Sequence, residues 1–257
     1  MRMTRLMNRR IGMAVAAVWL LGGSVAAQAA EITVSAAASL TNAFREVGQA
    51  YERRYPGARV HFNFGGSGAL LQQMAKGAPV DVFASADEET MNQAQQHGLV
   101  RADARRDFAR NALVLIVPAD SRLALHRVED LAQPGVHRVA VGNPASVPVG
   151  RYSMMVLGRL KSWPQIQPRV IHAANVRQAL DYVARGEVDA GLVYRTDAAI
   201  MPGKVKVAAT VPLPVAIRYP IASTTGSSQQ VEARRFVQFV LTPEAQALLA
   251  RYGFGRP

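Results

Sequence analysis

Three short stretches of the chain share one chemical signature. Around residues 35–39, 65–68 and 173–176 a β-type run ends, a small polar or glycine-rich turn follows, and a helix begins. A helix N-terminus presents N–H groups without intrahelical partners and a partial positive charge. Each stretch is therefore a ready site for an anion. In open α/β sheets such turns gather at the carboxyl ends of strands, where ligands bind. Each also has a plainer reading: Ser39 and Asn175 suit helix caps, and Gly65-Gly66-Ser67-Gly68 suits a tight turn. The best enzymatic alternative is a serine hydrolase, because the glycine-flanked Ser67 approximates a nucleophile elbow. It lacks partners. That chain order requires an acid and then a late histidine, and the last histidine is His172. The five histidines show no metal-ligand spacing, no Gly-Lys-Ser/Thr follows the glycines, and Asp81 and Asp87 flank a strand without the pattern of a carboxylate pair. Capture of an anion without a reaction is the better expectation.

Strands and helices alternate along the mature chain. Strand-type runs cover residues 31–35, 59–64, 80–85, 111–118, 138–142, 169–173, 190–194, 205–211 and 216–222. Helix-type runs cover 40–51, 68–74, 88–97, 150–163, 176–185, 229–241 and 243–252, several stopped by glycine or proline. This alternation predicts α/β units with mainly parallel sheets. So many strands exceed one compact sheet, so two sheets and two lobes are expected. The runs at 111–118 and 216–222 are the candidate crossovers between them. The expected division is 30–112 with 217–257 in one lobe and 113–216 in the other.

Composition narrows the class. The 257 residues are 49% hydrophobic and 19% charged, which is ordinary for a globular protein. The absence of cysteine removes disulfides, thiolate metal sites and thiol catalysis. Residues 1–29 read as a cleaved secretory signal: Arg2, Arg5, Arg9 and Arg10, then an apolar run, then Ala27-Gln28-Ala29. Removing those four arginines from the formal +12 leaves +8. The remaining basic residues are scattered, so a nucleic-acid partner is not expected. No later stretch is apolar enough to span a membrane.

The same residues carry a family resemblance across essentially the whole mature chain. Residues 33–43, 77–87, 140–150, 175–180, 191–198 and 251–254 resemble the periplasmic molybdate-binding proteins that serve ABC transporters. The opening segment, Val147-Pro148-Val149-Gly150 and Val193-Tyr194 are its most specific parts. The resemblance implies the two-lobed venus-flytrap fold of class II binding proteins, with ligand in the interlobe cleft. It implies a periplasmic monomer that carries no cofactor, binds molybdate and also tungstate, and hands it to a membrane permease with its ATPase. Molybdenum would be held as its oxyanion, without direct protein–metal bonds. Carried over motif by motif, the hydroxyl donors are Ser39, Ser67 and Tyr194, and the backbone donors are those of Val149 and Val176. Two positions depart from the family pattern. The Ser67 segment is glycine-rich where serines are frequent, and Val149 replaces a common alanine, which narrows the pocket edge. Another oxyanion or a small acid is the nearest alternative ligand.

Overall fold

The computed structural model describes residues 30–257; the secretory signal expected at residues 1–29 lies outside the described residues. The chain opens with β1 (Ala30–Ala37), α1 (Thr41–Arg54), β2 (Ala58–Gly65), α2 (Ser67–Ala75), β3 (Val82–Ala84), α3 (Glu88–Gln96) and β4 (Arg106–Asn111). It continues with β5 (Leu113–Pro118), β6 (Val139–Gly142), α4 (Pro148–Leu157), α5 (Trp163–Ile166), β7 (Val170–Ala173), α6 (Val176–Ala184), β8 (Ala190–Tyr194), α7 (Arg195–Ala199) and β9 (Val205–Val211). It ends with β10 (Ile217–Ser223), α8 (Gln230–Val240) and α9 (Pro243–Arg251). The strands form two sheets, ordered β2-β1-β3-β10-β4 and β7-β6-β8-β5-β9.

The two-lobed α/β architecture is as expected, but the sheets are mixed rather than mainly parallel. In the first, β1–β2 and β1–β3 are parallel, while β3–β10 and β10–β4 are antiparallel. In the second, β6–β7 and β6–β8 are parallel, while β5–β8 and β5–β9 are antiparallel. The cause is the crossing of the chain between sheets. β5 and β10 arrive from the opposite lobe without a crossover helix, and a parallel neighbour requires one.

The strand expected at 111–118 forms as β5 from Leu113 onward, while its first residue, Asn111, closes β4, a strand of the other sheet that the sequence periodicity does not single out. Asn111 Oδ1 accepts the N–H of Ala112, and the carbonyl of Ala112 accepts the N–H of Arg195, so Ala112 belongs to neither ladder. The helix expected at 150–163 also divides: α4 ends at Gly158 and the short α5 starts at Trp163-Pro164.

Each lobe has its own reason to hold together. In the first, Phe44 and Tyr51 of α1 and Phe236 and Phe239 of α8 form a buried aromatic cluster, with Tyr51 and Phe236 ring centroids 5.1 Å apart. Edge-on pairs of this kind add to area burial, and they draw the C-terminal helices back to the first lobe. Tyr51 Oη hydrogen-bonds Glu232 Oε1, which satisfies a carboxylate that is almost fully buried. In the second, α6 buries Val176, Ala179, Leu180 and Val183, the spacing of one helix face.

Packing is tightest where α4 crosses β6. A Cβ on Gly150 would lie 2.0 Å from the carbonyl oxygen of Gly142, a backbone atom that cannot swing aside. Gly150→Ala is expected to cost at least ~2 kcal/mol, within or above the usual overpacking range. At this chain length that lowers the melting temperature by about 4–8 °C in calorimetry.

Candidate functional site

Ser39, Ser67, Val149, Val176 and Tyr194 all line one small cavity between the lobes. Ala37, Ala38, Gly65, Gly66, Ala86, Val147 and Pro148 complete its wall, and among the described residues no charged side chain lines it. The first lobe supplies the turn after β1 and the turn from β2 into α2. The second supplies the N-termini of α4 and α6 and the end of β8.

The local structure separates the capping readings from the donor readings. Asn175 is a helix cap: its Oδ1 accepts the N–H of Gln178 at 3.0 Å. Ser39 and Ser67 are not caps. Ser39 lies in a 3₁₀ turn, Ala38–Leu40, and makes no capping bond. Ser67 is the first residue of α2, whose cap position is Gly66. Ser67 Oγ instead accepts the N–H of Ala86 at 3.1 Å, so its own proton is uncommitted. No histidine hydrogen-bonds Ser67 among the described residues.

The backbone donors follow from the helix starts. Val147 caps α4 without a side-chain bond, and Pro148 has no N–H, so Val149 carries the first N–H of that helix. Val176 opens α6, and its cap Asn175 serves Gln178 instead. Neither the Val149 nor the Val176 N–H reaches an acceptor among the described residues. Tyr194, 1% exposed, ends β8 and donates its hydroxyl proton across the cleft to the Ala86 carbonyl at 3.4 Å, a long bond. Burial pushes the Tyr194 phenol well above its ordinary value, with the neighbouring Tyr219 adding to the shift, so it stays a donor.

The lobes touch around this cavity at backbone distance. The Gly68 N–H donates to the Ser146 carbonyl at 2.9 Å. A Cβ on Gly66 would lie 2.9 Å from the Ala174 oxygen, and one on Gly68 would lie 2.8 Å from Ser146 Cα and O. Neither glycine has a positive φ; they are glycines because the other lobe occupies the space of a side chain.

Two arginines of the second lobe bridge the cleft on the rim. Arg151 Nε and Nη2 reach Asp87 Oδ2 at 2.8 and 2.6 Å, and Nη2 also donates to Thr90 Oγ1. Asp87 at the same time caps α3 by accepting the Thr90 N–H at 3.1 Å. Arg177 donates to Asn42 Oδ1 at 2.7 Å and to the Ser39 carbonyl at 3.1 Å. Its Nε lies 2.6 Å from Asp197 Oδ1, an ion pair within the second lobe. These arginines, the two glycine contacts and Asn111 escaped sequence reasoning. Arg151 and Arg177 look like any of the chain's scattered cations, and only the fold selects them. Asp81, singled out beside Asp87, is structural: it accepts from the Thr33 N–H and from Ser227 Oγ within the first lobe.

Two lobes, a cleft between them and uncharged donors converging from both sides are the architecture of a solute-binding protein. The sequence profile described as "Bacterial extracellular solute-binding protein" matches residues 32–255, and the chain belongs to that family. It is 34% identical to the molybdate-binding protein ModA of Haemophilus influenzae over 243 residues, 91% of this chain and 93% of that one. Its fold is similar to that of the periplasmic molybdate-binding protein of Azotobacter vinelandii, with TM-score 0.78, 25% identity and coverage of 88% and 99%. It is also similar to the sulfate-binding protein SubI of Mycobacterium tuberculosis, with TM-score 0.77, 22% identity and coverage of 88% and 86%, a likeness of fold alone.

Asp197 yields a pH prediction. It is fully buried, and desolvation outweighs the attraction of Arg177, raising its carboxyl from the ordinary 3.8 to about 6. In acid the folded state therefore takes up this proton before the unfolded chain does. The associated stability is complete below about pH 4 and is lost as pH rises through about 6. Denaturant titrations should show wild type gaining stability relative to Asp197→Asn as pH falls from 7 to 4. A pH-independent difference would contradict the assignment.

Proposed function

We propose that the cavity captures molybdate, and tungstate with it, by uncharged donors, and that the protein delivers the anion in the periplasm to the permease and ATPase of an ABC transporter. The observation that carries this reading is the convergence of three hydroxyls and two free helix-start N–H groups on one small cavity with no charged side chain in its wall. The ligand itself is suggested by the relatives, whose names state molybdate. The protein acts as a monomer.

Energetics are consistent with this role. Hydrogen bonds to a charged group contribute about 1.5–3 kcal/mol each. Five would exceed the roughly −8 kcal/mol of micromolar binding. Dehydrating a dianion and bringing the lobes together offset much of the excess. A wall of donors also selects. Molybdate, tungstate and sulfate accept at every oxygen, whereas hydrogen phosphate carries an O–H that needs an acceptor. Leaving that group unpaired costs about 1–3 kcal/mol. Cavity size then separates sulfate from the larger anions.

Ligand-free mature protein titrated with molybdate, tungstate, sulfate and phosphate at matched ionic strength tests the reading. At 100 times its dissociation constant a ligand adds about 2.7 kcal/mol, a melting shift of about 5–10 °C at this size. Shifts with molybdate and tungstate alone are expected. A shift with sulfate alone would move the assignment to a different oxyanion, and no shift with any of the four would remove the oxyanion reading. Closure has its own test. Gly68→Ala pushes a methyl against the Ser146 backbone across the cleft, so molybdate binding should weaken about tenfold or more, ~1.4 kcal/mol. Unchanged affinity would mean that this contact does not accompany binding.

A further inference from the structure

Behind Ser39 lies a buried chain of hydrogen bonds whose direction is fixed at its far end. Asn111 closes β4 immediately before the crossover residue Ala112. Its side-chain atom facing the Ala112 N–H at 2.9 Å must be the oxygen, because an N–H can only donate. The amide nitrogen is therefore turned the other way, where it donates to Thr196 Oγ1 at 2.9 Å and to Tyr219 Oη at 3.2 Å. Tyr219, on β10, is fully buried, and among the described residues its hydroxyl meets, besides Asn111, only Ser39 Oγ, at 3.0 Å. The buried phenol proton needs an acceptor, the Asn111 amide nitrogen cannot be one, and Ser39 Oγ is the one acceptor within reach among the described residues, so the proton is directed at Ser39. Burial, with the charge of Asp197 adding to it, pushes the Tyr219 phenol well above its ordinary value, so that proton is present at any physiological pH.

The consequence falls on Ser39. Its oxygen receives the Tyr219 proton, and it makes no other side-chain hydrogen bond among the described residues. Its own hydrogen is thus unspent. Reversed polarity would have the opposite effect: with Ser39 donating to Tyr219, a lone pair would face the anion. A hydroxyl that already accepts a hydrogen bond is also a stronger donor. Tyr219 does not line the cavity, so it acts on a ligand only through Ser39.

We propose that Tyr219 is a positioning residue for the anion site, and that the chain Asn111 to Tyr219 to Ser39 commits the Ser39 hydroxyl proton to the ligand. The inference deepens the oxyanion reading and rests on it. It also places one end of the relay at the interlobe crossover, since Asn111 adjoins Ala112.

A double-mutant cycle in the mature protein, with molybdate affinity read by calorimetry, tests the proposal. Ser39→Ala and Tyr219→Phe should each weaken binding by about tenfold, the loss of one charge-assisted bond or of its polarisation. The double variant should bind no more weakly than Ser39→Ala alone, because Tyr219 has no route to the ligand without that hydroxyl. Additive losses, or no loss for Tyr219→Phe, would overturn the relay and leave the oxyanion reading intact. No loss for Ser39→Ala would remove Ser39 from the site and overturn the relay, whereas absence of molybdate binding by the wild-type protein would overturn the oxyanion reading itself. Should Tyr219→Phe fail to fold, Asn111→Asp serves instead. It turns the donor into an acceptor and reverses the chain, so its effect should shrink in the Ser39→Ala background. An equal effect in both backgrounds would reduce it to a simple charge effect and overturn the relay.

Discussion

The cavity exists only while two lobes lie in backbone contact, and the contact of Gly66 and Gly68 with Ser146, Val147 and Ala174 sets how close they come. An anion held by uncharged groups gives up strong hydration, and its replacement must be donors at hydrogen-bond distance on all sides. Neither lobe alone can surround a tetrahedral ion. One side chain at either glycine would hold the donors of α4 and α6 away from those of Ser39 and Ser67. The narrowness of the gap is thus as much a part of the site as the donors themselves.

The chain's charge is kept out of that gap. Arginine is abundant in the sequence, yet none lines the cavity. Arg151 and Arg177 stand on the rim and are spent on lobe-to-lobe contacts with Asp87, Asn42 and the Ser39 carbonyl. Both are partly buried, with Asp87 and Asp197 as their counter-charges. They join the lobes without adding a bare cation to the wall, where a point charge would attract any anion with little regard for shape or protonation.

Hydrogen-bond polarity provides the finer control. Ala86 joins both sides of the cleft: its N–H is taken by Ser67 Oγ and its carbonyl by Tyr194 Oη. Ser67 accepts from the backbone and Ser39 lies next to a buried tyrosine, so neither serine needs its proton for the protein's own structure. This differs from a helix cap, where a serine oxygen serves the helix. Asn175 shows that ordinary use at the start of α6, one residue before Val176.

Much of this was legible in the residues. Periodicity located most strands and helices within a few positions, because buried faces repeat at the period of each element. Strand–turn–helix junctions pointed to Ser39, Ser67 and Val176, and the family resemblance added Val149 and Tyr194; the fold brings all five to one cavity. What local pattern could not carry was direction and distance. The run 111–118 is uniformly strand-like, yet Asn111 belongs to one sheet and Leu113 to the other, because Asn111 Oδ1 accepts the N–H of Ala112 and the Arg195 N–H donates to its carbonyl. Sheets became mixed because strands entering from the other lobe run in reverse. The selection of Arg151 and Arg177 from many arginines, the need for glycine at 66 and 68, and the orientation of Asn111 behind Tyr219 all depend on partners distant in sequence. The amino-acid sequence determined which elements form and which donors they expose, since these follow from neighbours along the chain. Tertiary structure decided which donors meet, how closely, and which way their protons point, since those depend on groups that only folding brings within hydrogen-bond reach.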